Sequence, residues 1–439
     1  MSERRRSAES EVSASAATRR QRGRAFLGGT RAARRALQLA RRGLKPDAPR
    51  TWAAAEQKPN YDVVILGATS SGLALAHHLA VRYPPTTVAV IDPGHLGSDL
   101  GVRPRAFLHR LRTDPVRAAL AARSRELYEE LMVDEAMPLA PVASGHVVLA
   151  RDREGLIELR WRAGVARADG SDVRFIDGHE LGSMLQMIEA SASERPVLAA
   201  VHDAEAAAVG LDALPFELAL GAAAAGADIL EGTPLLEVRL DRGRVSGIVT
   251  GRGATSVPLV VDCTANGTVD ELVGLAPMVA PRRVQSIVTE PVQPFLRTSI
   301  EADGVTIAQS ERGEIVAGMV VDPYPARYRN PSLEAGARLA ATMVDLLPPV
   351  ARLRVARQWV STVETTPDGG PLVGPTDVEG LHLNRAWGTD ALDFLPATAE
   401  ALASYLRSGL APPLLAAYDP RRFGPTLKPS PMQTEVATR

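Results

Sequence analysis

The chain has 439 residues, 45% of them hydrophobic, and a formal net charge of −1. That length supports about two or three domains, and the balanced charge gives no global attraction to nucleic acid or to an anionic membrane surface. Cys263 is the only cysteine, which excludes an intrachain disulfide or a cysteine-based metal cluster and suits a reducing cytoplasm. No metal site is expected.

Residues 1–58 read as an Arg-rich arm with Arg4-Arg5-Arg6, Arg19-Arg20 and Arg34-Arg35. It has no apolar stretch long enough for a signal peptide or a membrane span. Thr30 to Leu44 has the spacing of a basic amphipathic helix, and the arm as a whole is expected to be flexible or to dock on a partner.

The next segment is the most informative. Asp62-Val-Val-Ile-Leu66 is a β-branched apolar run suited to a strand buried on both faces. It meets the turn Gly67-Ala-Thr-Ser-Ser-Gly72 and then a helical pattern through Leu73, Leu75 and Leu79. Such a turn aims backbone N–H groups and a helix N-terminus at a pyrophosphate. Thr87-Val-Ala-Val-Ile91 supplies the following strand, and Asp92 stands where a carboxylate accepts hydrogen bonds from a ribose. Thr69 breaks the fingerprint, because glycine at that place lets the pyrophosphate approach the backbone. With threonine the loop shifts, the hydroxyl itself bonds a phosphate, or affinity is lost.

From residue 114 the pattern is mixed α/β. Helices are expected over Pro115 to Met132, Glu154 to Gly164 and Leu211 to Gly226. Strands are expected over Gly145 to Leu149, Ala227 to Leu230, Leu235 to Leu240, Arg244 to Thr250 and Val257 to Val261. Val284 to Thr289, Gly304 to Gln309 and Glu314 to Val320 read as a second sheet, followed by a helix from Ser332 to Leu346. Late in the chain, Thr366-Pro-Asp-Gly-Gly-Pro-Leu-Val-Gly374 and Trp387-Gly-Thr389 read as the other end of a flavin site. Asp368 sits in a Pro-Asp-Gly that would also serve as an ordinary turn.

These stretches, with Lys58 to Gly67, Val261-Asp-Cys-Thr-Ala265 and Gln309 to Val316, resemble the D-amino-acid-oxidase-like superfamily of FAD oxidoreductases. Within it the layout is most similar to the sarcosine oxidase β subunit, over most of residues 52 to 424. The fold implied is α/β, a Rossmann-type FAD-binding domain with an inserted mixed-sheet α+β substrate domain. The FAD domain would comprise 59–140, 205–282 and 358–439, and the substrate or interface domain 141–204 and 283–357. The resemblance implies non-covalent FAD and oxidation of a C–N bond in an amine or amino-acid-like substrate. It also implies partner subunits, including an α-type subunit that binds folate. Gly67, Thr69 and Gly72 would meet the pyrophosphate, Asp92 the ribose, Val238 the adenine side and Asp368 the late turn. Gly388 and Thr389 would present N–H groups to the isoalloxazine.

Two departures from the family pattern shape the remaining expectations. Where the family has a lysine near the flavin this chain has Asp393, within Asp390-Ala-Leu-Asp393, so a substrate neutral or cationic there is expected. Leu211 occupies the position of a histidine that carries covalent FMN, so no covalent flavin is expected, and His202 reads as a loop residue. Arg103, Arg105, His109 and Arg110 form a basic cluster where the family passes over the flavin. Arg105 and Arg110 are candidates for a substrate carboxylate and His109 for acid–base work. The alternative to an active enzyme is a degenerate flavoprotein-like subunit with a structural or regulatory role, motivated by Thr69, Asp390 and Asp393.

Overall fold

The computed structural model describes residues 55–427 apart from 85, 97–104, 134–141, 186–195, 211–213, 265–266, 311, 327 and 329. The arm up to residue 54, Arg103 and Leu211 lie outside the described residues, as does the side chain of Arg105.

Strands β1 (Val63–Leu66) and β2 (Val88–Ile91) are buried along their whole length, which unbroken apolar runs permit in a sheet covered on both faces. They centre a six-stranded sheet with β9 (Asp228–Leu230), β13 (Leu259–Asp262), β20 (Leu381–Arg385) and β19 (Leu372–Pro375), in the order β19-β20-β13-β1-β2-β9. Every pairing is parallel except the β19–β20 hairpin. Helix α1 (Ser70–Arg82) links β1 to β2, buries Leu73, Leu75 and Leu79, and packs on α5 (Leu214–Ala224) and α8 (Ala391–Ser408). The small antiparallel sheet of β10 (Leu235–Asp241), β11 (Arg244–Thr250) and β12 (Gly253–Ser256) shares one apolar cluster with the parallel sheet, joining Val64, Ile91, Val238, Ile248 and Val260.

The second large sheet has eight strands. Their order is β18 (Val355–Thr365), β14 (Ala280–Thr289), β17 (Ile315–Asp322), β16 (Val305–Gln309), β15 (Ser299–Ala302), β5 (His146–Ala150), β7 (Ala199–Asp203) and β6 (Val173–Ile176). It is mixed, with β15–β5 parallel and the other pairs antiparallel. Helix α7 (Leu333–Leu346), capped by Ser332, buries Ala335, Leu339, Met343 and Leu346, the one-sided stripe of an amphipathic helix. These meet Ile287, Ile307 and Ala317 of the sheet. Helix α3 (Arg153–Ala168) sets Leu159, Ala163 and Ala166 against Val148 and Val201. A third sheet joins β3 (Arg105–Leu108), β8 (Ala207–Gly210) and β4 (Val142–Ala143), while α2 (Pro115–Val133) packs on α8. Short helices α4 (Gly178–Leu185), α6 (Thr268–Val273) and α9 (Pro413–Ala416) complete the order.

The two-domain α/β architecture agrees with the sequence reading, while individual elements depart from it. Strand β18 pairs with β14 from Ala280↔Thr365 to Thr289↔Val355, so divisions drawn at 282/283 and 357/358 fall inside two paired strands. Its Arg, Gln, Ser and Thr residues and its half-exposed pattern gave no apolar run from which to read it. His202 lies on β7, 9% exposed, rather than in a loop.

Ala386, just after β20, is buried and adopts φ 62, a left-handed conformation that costs an L-residue roughly 1–2 kcal/mol. Ala386→Gly is expected to raise stability by about 0.5–1 kcal/mol once the added freedom of the unfolded chain is deducted, measured as a higher urea midpoint with an unchanged m value.

Candidate functional site

The turn between β1 and α1 is built so that glycine is obligatory at two places. Gly67 has φ 99, and a Cβ on Gly72 would lie 2.2 Å from the Gly67 carbonyl oxygen. Thr69 needs no such freedom, with φ −70 and ψ 164. Its hydroxyl accepts from the Gly72 N–H at 3.2 Å and donates to the Cys263 carbonyl at 3.1 Å. The threonine therefore caps α1 and ties the turn to the end of β13, its hydroxyl committed inside the protein. The Ser70 and Ser71 N–H groups open the helix with no intrahelical acceptor, and both residues are partly exposed. Asp92 accepts from Ala68 N–H at 2.8 Å and Gly94 N–H at 2.7 Å, and a carboxylate keeps further lone pairs for a ribose. Open donors at a helix N-terminus with an acid at the next strand fit the pyrophosphate and ribose of a dinucleotide. Val238 is buried on β10, paired with Ile248.

The late turn is a clamp. Asp368 accepts from Thr366 Oγ1 at 2.8 Å and Gly370 N–H at 2.9 Å, and Arg422 grips it at 2.8 and 3.0 Å. Arg422 foremost, and those donors after it, hold its carboxyl far below the usual range. Gly388, at φ 58, donates its N–H to the Glu364 carbonyl at 3.2 Å. Of the two N–H groups expected to face a flavin, only that of Thr389 has no acceptor among the described residues. The Trp387 indole donates to Asn384 Oδ1 at 3.1 Å and its ring lies 5.8 Å from Phe394.

Beneath this loop a single guanidinium faces three carboxylates. Arg385 reaches Asp262 at 3.0 Å, Asp270 at 2.6 Å and Glu364 at 4.0 Å. Burial pushes the Asp262 carboxyl up against the pull of Arg385. It raises Glu364 to about 7, with Arg385 opposing and Asp262 and Asp270 adding to the rise. The sequence reading missed this cluster, since its members come from β13, α6, β18 and β20 and only the polar ends of those strands hinted at it.

The basic segment after β3 divides in two. Arg110 turns to Ser171 at 3.3 Å, Glu205 at 3.7 Å and Asp169 at 4.0 Å. Arg112, two residues on, is 5% exposed, pairs with Asp393 at 2.9 Å and lies 5.0 Å above the Phe394 ring. Nη2 makes that pair, and Nε has no hydrogen-bond partner among the described residues. The charge of Asp393 is thus balanced within the protein, and the repulsion expected from the sequence is offset. Asp390, which has no capping bond to α8, lies 3.8 Å from Arg117. His109 is stacked 4.7 Å from His146, and burial, followed by Arg112 and His146, holds it well below its usual value, so it is neutral near pH 7.

The architecture and the glycine cradle define a dinucleotide-binding flavoprotein of two domains. Residues 62–405 match the family model described as "FAD dependent oxidoreductase". The chain belongs to this family, is an enzyme of that class, and takes FAD as its cofactor. It is 27% identical over 379 residues to the sarcosine oxidase subunit beta of Rhodobacter capsulatus, covering 85% of this chain and 91% of that protein. Among solved structures it is similar to L-proline dehydrogenase from P. horikoshii, with a TM-score of 0.76 at 20% identity, covering 85% of this chain and 100% of that one. It is also similar to glycine oxidase from Geobacillus kaustophilus, with a TM-score of 0.73 at 23% identity, covering 82% and 98%. No helix among the described residues is long and apolar enough to cross a membrane.

Two substitutions test the buried charges. Asp393→Lys places a second cation beside Arg112 and is expected to destabilise the fold by about 3–5 kcal/mol, read as a fall in the urea midpoint. Glu364 binds its proton in the folded state up to about pH 7 but loses it near ~4.3 when unfolded. Its contribution to stability is therefore complete below the lower value and disappears as pH rises through the upper one. Glu364→Gln should flatten the loss of stability across that window, by up to about 3 kcal/mol relative to the parent at pH 8.

Proposed function

We propose that this enzyme oxidises a C–N bond of an amine or amino-acid-like substrate, and does so as the β-type subunit of a hetero-oligomer. The match to a sarcosine oxidase subunit beta along nearly the whole of both chains supports the class of reaction and the presence of partner subunits; that one of these is an α-type, folate-binding subunit is part of the proposal. The observation that carries the substrate reading is Arg112, buried, paired through Nη2 with Asp393 and left with an unpartnered Nε next to the Trp387 loop.

A buried guanidinium N–H lacking an acceptor is unfavourable unless a ligand supplies one. In this reading the acceptor is a carboxylate or carbonyl oxygen of the substrate. Because Asp393 already balances the charge, Arg112 offers directed N–H groups rather than net attraction, and the site takes neutral and zwitterionic substrates in preference to net anions. The Ser70 and Ser71 N–H groups hold the pyrophosphate of FAD, Asp92 the ribose, and the Thr389 N–H the reactive end. Bound FAD supplies the two-electron oxidant. Thr389 then acts through a preorganised donor that needs no rearrangement as charge develops. His109 contributes a neutral imidazole to the same wall. Arg105 lies on the strand leading into this segment, and Arg110, engaged with Asp169 and Glu205, orients the loop.

The purified protein is expected to be yellow, to release FAD on acid denaturation, and to bleach anaerobically with secondary or N-methyl amino acids. Arg112→Leu/Asp393→Leu, which removes both charges and leaves neither stranded, should raise KM for such a substrate about tenfold or more, the loss of a charge-assisted hydrogen bond of roughly 1.5–3 kcal/mol. Colourless protein that takes up no added FAD, or flavin that no amine or amino acid reduces, would defeat the proposal.

A further inference from the structure

Three potential ligands from distant parts of the chain converge beside the segment after β3. His109 follows β3, His146 opens β5 and Glu301 lies on β15, and one donor atom of each lies within 4.8 Å of the others. The parallel register of β5 and β15 sets His146 opposite Ser299 and Val148 opposite Glu301. His146 Nδ1 lies 2.7 Å from Ser299 Oγ and its Nε2 lies 3.3 Å from Glu301. Arg162 on α3 donates to both Glu301 oxygens, at 2.7 and 3.2 Å, and is itself anchored by Nε to the Leu111 carbonyl at 3.0 Å. His109 Nδ1 is buried without a hydrogen-bond partner among the described residues.

We propose that His109, His146 and Glu301 form a binding site for one divalent cation of the zinc type.

The donor set is two imidazole nitrogens and one carboxylate oxygen, which suits zinc, nickel or copper rather than calcium or magnesium. His109 Nδ1 has no hydrogen-bond partner among the described residues, so no bond has to be broken for that nitrogen to meet an ion. Around the ligands stands the outer layer that metal sites use. The Ser299 hydroxyl fixes the ring of His146 through Nδ1, and Arg162 holds the carboxylate in one orientation. Ligand atoms about 2.1 Å from one tetrahedral ion lie roughly 3.4 Å apart, so side-chain rotations that move these atoms by about an ångström close the set. A cavity of about 290 Å³ adjoins it, lined among others by Glu301, Arg162, Asp152, Glu154, Glu158 and Asp303. Carboxylates around such an entrance raise the local concentration of cations. Arg162 balances the charge of Glu301, so the two imidazoles carry most of the binding, and neutralising Arg162 should tighten it.

The test uses the full-length FAD enzyme, stripped with a chelator and titrated with ZnCl2 by calorimetry, with metal content measured after desalting. One Zn2+ per chain is expected, together with a rise in thermal midpoint on adding it. His109→Phe, which retains a ring to stack on His146, should weaken Zn2+ binding tenfold or more, and Arg162→Gln should strengthen it. Glu301→Gln, nearly isosteric, is expected to weaken it by a smaller but measurable factor and covers the case in which His109→Phe does not fold. Absence of one-to-one binding in the parent, or parental affinity in a folded His109→Phe or Glu301→Gln protein, would overturn the site.

Discussion

The buried guanidinium of Arg385 is the constraint on which the arrangement of this protein turns. It draws together the end of β13, the end of β20, helix α6 and the end of β18, and so joins the parallel sheet to the eight-stranded one. One cation among three carboxylates leaves an excess of negative charge in a place with little water. The protein accommodates it by raising the Asp262 and Glu364 carboxyls, as burial requires when pairing is incomplete. The same Glu364 receives the Gly388 N–H through its backbone carbonyl. The charge cluster and the loop expected at the flavin therefore share one residue, and the position of the loop follows from the junction of the sheets.

A similar logic governs Asp393. Read alone, an acid in place of a family lysine is a reversal of charge. In the fold it is half of a pair with Arg112, which lies over Phe394, which in turn contacts Trp387. The cation is thus supplied from the segment after β3 rather than from α8. The two halves are more than two hundred and fifty residues apart in sequence. Thr69 follows the same pattern. Its departure from glycine is absorbed because the hydroxyl turns inward to cap α1 and hold Cys263, and the N–H groups that follow it keep their direction.

Sequence alone determined the parallel core, because β1, α1, β2 and Asp92 are specified by local periodicity, turn chemistry and short spacing, which act within about thirty residues. It also determined helix α7 and strands β10 and β11, each marked by its own repeat of apolar positions. Tertiary structure alone decided β18, whose polar, half-exposed residues become a strand only through the ladder with β14. It decided as well that Arg110 is engaged by Asp169 and Glu205 while Arg112 is buried, and that His109, His146 and Glu301 meet at all. The physical reason is common to these cases. Burial and charge pairing are properties of what surrounds a side chain, and for these residues the surroundings come from strands and helices that the chain reaches only after folding.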